Sequence, residues 1–133
     1  MPSIFTKIIH GEIPCYKIYE DEHTFAFLAR DQIALGHTLI VAKIEVDYFV
    51  DVPEPYYSAV FKNAQTIARA IQAATGCARV GTMIAGFEVP HFHYHLVPIE
   101  SIFDLSFSHA RERGPEEMKA IQEKIVAELA RMK

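Results

Sequence analysis

The chain contains, between two prolines, the stretch Pro90-His91-Phe92-His93-Tyr94-His95-Leu96-Val97-Pro98. Imidazoles alternate there with apolar side chains, and this period of two residues is typical of a β-strand whose two faces differ. One face would carry the three histidines, and the other would carry apolar residues that can pack beneath helices. Neighbouring imidazoles on such a strand would lie about 6–7 Å apart, from a rise of roughly 3.3 Å per residue.

Three histidines on one strand face indicate chemistry rather than packing. Each imidazole brings two polar nitrogens that need partners, so a core gains nothing from three of them in register. Imidazole titrates near neutral pH, and crowding keeps some of the three rings neutral. A neutral imidazole is a competent nucleophile, and a protonated one stabilises a phosphate or a leaving group. The three histidines therefore favour an enzyme, and covalent attack on phosphorus is one reaction that they could catalyse.

Metal ligation is the alternative use of the same residues. A His-x-His pair on a strand can chelate Zn²⁺, so a metalloenzyme using two of the three histidines stays open as a hypothesis. The outer two imidazoles would lie about 13 Å apart by the same strand rise, so one ion could hardly bind all three.

The segments around the histidines predict five strands and two main helices. The predicted strands cover residues 16–20, 24–28, 37–41, 79–84 and 91–97. The first helix begins near Pro53 and Pro55, ends at Gly76, and has an apolar stripe formed by Val60, Ala64, Ile67, Ile71 and Ala74. The second begins at Gly114-Pro115, and its predicted buried face is formed by Met118, Ile121, Ile125, Leu129 and Met132. This order predicts an α+β fold in which helices cover one side of a mostly antiparallel five-stranded sheet.

Length, charge and cysteine content narrow the class of protein. The 133 residues predict a single domain, residues 1–133, and the net charge of −4 without a basic block argues against a nucleic-acid binder. No apolar run approaches the roughly 18 residues of a membrane helix, and the N-terminus does not resemble a signal peptide. Cys15 and Cys77 do not form a disulfide framework, so we expect a cytoplasmic protein with no membrane partner.

At the histidine stretch the chain resembles the histidine-triad (HIT) family. Residues 91–97 match the family signature, in which three histidines alternate with apolar residues. Residues 3–14, residues 27–43 with their Gly36-His37-Thr38 segment, and residues 85–90 also resemble family segments, so that the similarity covers most of the chain. The resemblance implies a HIT-like fold whose sheet continues across a homodimer.

The resemblance also implies an activity and a site. Family members are nucleotide hydrolases or nucleotidyl transferases that act at the α-phosphate of a nucleoside phosphate, phosphoramidate or dinucleoside polyphosphate through a nucleotidyl-histidine. By position, His93 would be the nucleophile, His91 would support it through the backbone, His95 would lie near the phosphate and leaving group, and His37 would complete the site. The implied nucleotide-binding residues are Ile4, Phe5, Ile8, Phe27, Asp31, Leu39, Glu88 and Val89.

Several positions depart from the family pattern. Ala29 stands where many members have a ribose-binding acid, and Asp31 is the nearby candidate to replace it. Phe87 stands where glutamine is frequent, and Glu88 replaces a small hydroxyl residue near the phosphate, where a carboxylate would repel an anion. These departures keep open the alternative of a nucleotide-binding or scaffolding protein with weak catalysis, and they leave the substrate and the base preference undetermined.

Some members of the family carry a structural zinc bound by two N-terminal cysteines and a further histidine. The matching positions in this chain are Ser3, Thr6 and Glu45. We therefore expect no structural zinc and no cofactor, with a small nucleotide and a second copy of the chain as the partners that the resemblance implies.

Overall fold

Five strands form one antiparallel sheet in the computed structural model, which describes residues 2–132. In chain order the strands are β1 (Lys17–Glu20), β2 (Thr24–Leu28), β3 (Asp31–Gln32), β4 (Thr38–Ala42), β5 (Arg79–Met83), β6 (His93–Ile99) and β7 (Arg111–Glu112). The sheet order is β1-β2-β4-β6-β5, and β3 pairs with β7 in a separate two-stranded ribbon. The histidine strand β6 therefore lies inside the sheet, between β4 and β5.

Two long helices cover one face of the sheet, as the sequence predicts. They are α2 (Tyr56–Thr75) and α3 (Pro115–Arg131), which follow the short N-terminal helix α1 (Ile4–Ile9). Gly76 ends α2 in the left-handed conformation at φ 71°, and Pro115 opens α3 at a position where no backbone N–H is needed. The apolar stripes of α2 and α3 bury Ile40 of β4 and Leu96 of β6 in the main core.

The opposite face of β2 and β4 is covered by α1. Because side chains alternate along a strand, Phe25, Phe27, Leu39 and Val41 point away from the long helices and form a second apolar cluster with α1. Ser3 caps α1 by accepting a hydrogen bond from the Thr6 backbone N–H at 3.0 Å. The second cluster forms one wall of the candidate site.

The α+β class and the five-stranded antiparallel sheet are confirmed, and several boundaries are corrected. β6 begins at His93 rather than at His91, because the backbone N–H groups of His91 and Phe92 donate to Val89 and Val46 instead of a neighbouring strand. Met132 is 42% exposed and caps the end of α3, so its predicted place on the buried face is wrong.

The sequence analysis did not predict α1 as a helix, nor the β3–β7 ribbon. Both are short, and their stability depends on contacts with distant residues rather than on a local pattern. Cys15 and Cys77 are free thiols. Between residues 2 and 132, no helix combines the length and apolar character that crossing a bilayer requires.

Candidate active site

A cleft of about 960 Å³ opens between α1, the strands β2 and β4, and the segment that precedes β6. Eleven of its lining residues were expected at the site from the sequence; these are Ile4, Phe5, Ile8, Phe27, Asp31, His37, Leu39, Glu88, Val89, His93 and His95. Apolar side chains from α1 and β2 form one end of the cleft, and imidazoles form the other. The cleft therefore combines an apolar surface with a small set of convergent polar groups, as ligand sites usually do.

His93 directs its Nε2 into the cleft, toward Glu88. Its Nδ1 lies 2.7 Å from the carbonyl oxygen of His91. A carbonyl oxygen only accepts, so Nδ1 carries the hydrogen, and the neutral ring has its lone pair on Nε2. The Phe5 ring packs edge-on against the imidazole, with centroids 4.9 Å apart, and fixes its orientation. The lone pair of Nε2 is thus available for attack on an electrophile in the cleft.

A relay of hydrogen bonds makes His95 a donor. The Ile33 backbone N–H donates to Nδ1 of His37 at 3.1 Å, so neutral His37 carries its hydrogen on Nε2. That nitrogen lies 2.9 Å from Nδ1 of His95 and donates to it. Neutral His95 therefore carries its own hydrogen on Nε2, which faces the cleft. The two catalytic candidates on β6 thus offer opposite functions, a lone pair and an N–H.

Burial keeps both relay histidines neutral. Desolvation, with a smaller contribution from His95, lowers the pKa of His37 to about 3. Desolvation, with a further contribution from His93, lowers the pKa of His95 to about 4. Both rings are therefore uncharged near pH 7, and the hydrogen on His95 Nε2 is that of a neutral imidazole.

Gln32 is a buried residue that the sequence analysis missed. Its side-chain N–H groups donate to the carbonyl oxygens of Ala29 at 2.7 Å and His37 at 2.8 Å. Its side-chain oxygen accepts from the backbone N–H groups of Gly36 at 2.8 Å and His37 at 3.1 Å. Four bonds from one fully buried amide hold the segment that carries His37 in place. A glutamine in a two-residue strand gives no sequence signal for this role.

His91 lies on the same face as His93, since Phe5 contacts both rings, but it does not line the cleft. Its Nε2–H donates to the carbonyl oxygen of Ala42 at 2.7 Å, and its Nδ1 accepts from the Ser3 hydroxyl at 2.7 Å. Desolvation lowers the pKa of His91, and the bond to Ala42 opposes that shift. The ring joins the sheet to α1, while its carbonyl orients His93, which is the supporting position that the resemblance implied for it.

Ser3, Thr6 and Glu45, the positions that match a zinc site in some relatives, do meet near His91. Glu45 accepts from the Ser3 backbone N–H at 2.7 Å and from the Thr6 hydroxyl at 2.6 Å. The lone pair of His91 Nδ1 is already used by the Ser3 hydroxyl. Two hydroxyls and one carboxylate do not fit a structural zinc site, which uses cysteine and histidine ligands. The cluster is a hydrogen-bond network that anchors α1 above the cleft.

Glu88 reaches between the two cleft imidazoles of β6. Its Oε2 lies 3.1 Å from Nε2 of His93 and 3.3 Å from Nε2 of His95. Burial disfavours the charged carboxylate, but the hydrogen bond with His93 and the attraction of both imidazoles together hold the pKa of Glu88 below its usual range. The neighbouring Phe87 is 96% exposed and does not line the cleft. Glu88 is therefore the departure from the family pattern that bears on the chemistry.

The same three groups are close enough to hold a metal ion, since their ligand atoms lie within 4.8 Å of one another. A metal bound by His95 Nε2 would need the lone pair of that nitrogen. The relay through His37 places a hydrogen there instead, so coordination would require the Ile33–His37–His95 hydrogen bonds to rearrange. The arrangement favours a proton between these groups over a metal ion.

The ribose-acid position of the family is occupied by Ala29, which is buried in the cleft wall. Asp31 lies at the rim with its side chain 51% exposed, 4.0 Å from the Arg30 guanidinium. Arg113, from the segment before α3, also lines the cleft, and its Nε has no hydrogen-bond partner among residues 2–132. No local pattern identifies Arg113, because it reaches the cleft only through the fold.

Comparisons with known proteins agree with this architecture. A HIT domain model matches residues 10–102. "Protein hit" of Bacillus subtilis is 34% identical, over 96% of this chain and 94% of that protein, and adenosine 5'-monophosphoramidase HNT1 of Saccharomyces cerevisiae is 35% identical, over 71% of this chain and 61% of that protein. The crystal structure of a Hit-like protein of Bartonella henselae superposes with a TM-score of 0.84 at 27% identity, over 95% of both chains.

Proposed function

The chain belongs to the histidine-triad (HIT) family, and from this we propose that it is a nucleotide hydrolase that acts at an α-phosphate through a nucleotidyl-histidine. One observation carries the proposal. The lone pair of His93 Nε2 and the N–H of His95 Nε2 face the same end of one cleft, whose other end is apolar. A nucleophile beside a hydrogen-bond donor is the pair that displacement at phosphorus needs.

The apolar end of the cleft would bind the nucleoside. Phe5 and Ile8 of α1 face Phe27 and Leu39 of the sheet, and Ile4 and Val89 also line the cleft. A flat base fits against apolar and aromatic side chains, which would place the α-phosphate near His93 and His95. Asp31 at the rim is the candidate for the ribose hydroxyls.

The first half-reaction would form a covalent intermediate. His93 Nε2 attacks phosphorus, the bond from phosphorus to the leaving group breaks, and the His95 N–H stabilises the charge that develops on oxygen. Water then attacks phosphorus in the second half-reaction, and the electron pair of the phosphorus–nitrogen bond returns to His93. Another acceptor in place of water would make the chain a nucleotidyl transferase. The carbonyl of His91 holds the His93 ring throughout.

An amine is the leaving group that we propose to test first. The relative from Saccharomyces cerevisiae is named an adenosine 5'-monophosphoramidase. The charged side chains that line this cleft are Arg30, Asp31, Glu88, Glu112 and Arg113, so acids outnumber bases among them. This balance favours a phosphoramidate over a polyphosphate, whose leaving group carries several negative charges.

A homodimer is part of the proposal. β5 is an edge strand of the five-stranded sheet, where it pairs with β6 on one side. An unpaired edge is a template for another strand, so β5 of a second copy could continue the sheet across a two-fold axis.

The wild-type chain is expected to bind adenosine monophosphate and to release the amine from adenosine 5'-phosphoramidate over many turnovers. Calorimetry measures the binding, and amine release measures the reaction. Binding without turnover would instead support a scaffolding protein. Loss of activity after exhaustive chelation, restored by metal, would support a metalloenzyme.

Two isoleucines provide a matched check on the nucleoside end of the cleft. Ile4 lines the cleft and is 47% exposed, whereas Ile102 is 73% exposed and lies outside it. Ile4→Ala should raise KM about fivefold, because roughly 1 kcal/mol of apolar contact with the base is lost. Ile102→Ala should leave KM unchanged, and equal effects of the two variants would place the base elsewhere.

A further inference from the structure

The contact between Glu88 and His93 requires a proton of its own. The Nδ1 hydrogen of His93 is used on the His91 carbonyl, so a neutral ring offers only a lone pair at Nε2. An ionised carboxylate also offers only lone pairs, and the two atoms lie 3.1 Å apart. Two acceptors at this distance would repel each other. One hydrogen therefore lies between Oε2 and Nε2, bound to either partner, and the pair holds one proton.

The neighbouring histidines do not supply a second proton, so the proton between Glu88 and His93 is the one that can be transferred. His95 donates its own N–H to the same Oε2 at 3.3 Å, and His37 stands behind His95 in the relay. Burial holds both of those rings neutral, so neither supplies a second proton near pH 7. The remaining charged groups that line the cleft are Arg30, Asp31, Glu112 and Arg113. None of these forms a hydrogen bond with Glu88 among the bonds of the described chain.

Glu88 is only partly packed within the site. It lies on the segment between β5 and β6, its side chain is 41% exposed, and Gly86 two residues earlier has φ +86°. Its Oε1 accepts only from the adjacent Phe87 N–H. A phosphoryl group that reaches His93 would displace Oε2 from between the imidazoles and leave the carboxyl group beside the leaving group.

We propose that Glu88 is the general acid of the first half-reaction and the general base of the second, a role that rests on the proposed function. As His93 Nε2 bonds to phosphorus, the shared proton passes wholly to Oε2 of Glu88. The bond from phosphorus to the amine nitrogen breaks, and that nitrogen takes the proton from Glu88, which becomes a carboxylate. The amine leaves neutral.

The second half-reaction restores the proton that Glu88 and His93 share. The oxygen of a water molecule bonds to phosphorus while Oε2 of Glu88 takes one of its protons. The bond between phosphorus and His93 Nε2 breaks, and its electron pair returns to the nitrogen. Glu88 and His93 then share one proton again, and the cycle has consumed one water.

Two substrates with the same nucleoside and different leaving groups test this role. An alkyl phosphoramidate of adenosine monophosphate needs a proton on its leaving nitrogen, whereas its p-nitrophenyl ester releases a stable phenolate without one. Glu88→Gln should lower kcat/KM for the phosphoramidate about 10²-fold or more, as loss of an acid–base catalyst does. With the ester it should give a rapid burst of nitrophenolate followed by slow turnover, because only the water step lacks its base.

The matched control is Glu22→Gln, whose carboxylate is 87% exposed on the β1–β2 turn and lies outside the cleft. This variant should have the wild-type kcat/KM on both substrates. An equal fall in kcat/KM of Glu88→Gln on both substrates, without a burst, would overturn the role of Glu88. An unchanged kcat/KM on the phosphoramidate would also overturn it. Either result would leave the proposed function standing. Absence of turnover by the wild-type chain on both substrates would overturn the proposed function itself.

Discussion

His93→Ala is expected to lower kcat for adenosine 5'-phosphoramidate by about 10⁴-fold or more, with nucleotide binding retained. Removing the imidazole removes the Nε2 nucleophile that the His91 carbonyl orients in the cleft. The apolar end formed by α1 and β2 remains, so calorimetry should show a Kd for adenosine monophosphate near that of the wild type. Amine release under saturating substrate measures kcat.

A second histidine variant provides the control for this loss. His10 is on the surface with its side chain 63% exposed, and it does not line the cleft. His10→Ala should keep the wild-type kcat. That result would show that the fall in kcat is specific to the His93 ring and does not follow from removing any histidine. If His93→Ala kept turnover within about tenfold of the wild type, covalent catalysis by this residue would be wrong.

The lowered pKa values of His37 and His95 should reduce the free energy of unfolding by about 4 kcal/mol between pH 7.5 and pH 5, and the lowered pKa of His91 acts in the same direction. His37 and His95 have pKa values of about 3 and about 4 in the folded chain, against an ordinary value of 6.5. The unfolded chain takes up protons as the pH falls through 6.5, while the folded chain keeps both rings neutral. The stability from these rings is therefore complete above pH 6.5 and is lost as the pH falls toward 4 and then 3. Each ring contributes about 2 kcal/mol over the stated interval.

Urea unfolding at several pH values measures this dependence. His37→Asn should remove about 2 kcal/mol of the pH-dependent change, whatever its effect on stability at pH 7.5, because the contribution of that buried ring is gone. His10→Asn removes an exposed ring and should keep the whole change. A free energy of unfolding that is constant from pH 7.5 to pH 5 would show that the two rings are not buried in neutral form.

The sequence predicted the part of the site that depends on strand alternation. His93 and His95 share a face because β6 is regular from His93 onward. The alternation extends to His91, whose ring lies beside Phe5 while Phe92 packs in the core under the long helices. The backbone just before the strand bonds to Val89 and Val46 instead of a neighbouring strand, and His91 lies outside the cleft. Alternation therefore predicted the face of each ring, whereas the start of the strand and the extent of the cleft depend on the fold.

The residues that hold the site were harder to predict. Gln32 lies in a two-residue strand and Arg113 in a loop, and single polar residues in such short segments have no period. The apolar wall of the cleft had the pattern of an ordinary core, and only the family resemblance distinguished the two. For Glu88 the sequence indicated a charge near the phosphate, whereas its shared proton with His93 depends on the fold of the preceding segment.

The central claim is that His93 becomes covalently bound to the nucleotide during turnover. The most direct measurement is mass spectrometry of the wild-type chain quenched in alkali during turnover of an adenosine phosphoramidate, with peptide mapping of any adduct. The account predicts one adenylyl group on the peptide that contains His93, located on that imidazole and absent from His93→Ala. An adduct on His37, His95 or any other residue, or full turnover with no covalent species on the millisecond timescale, would contradict it.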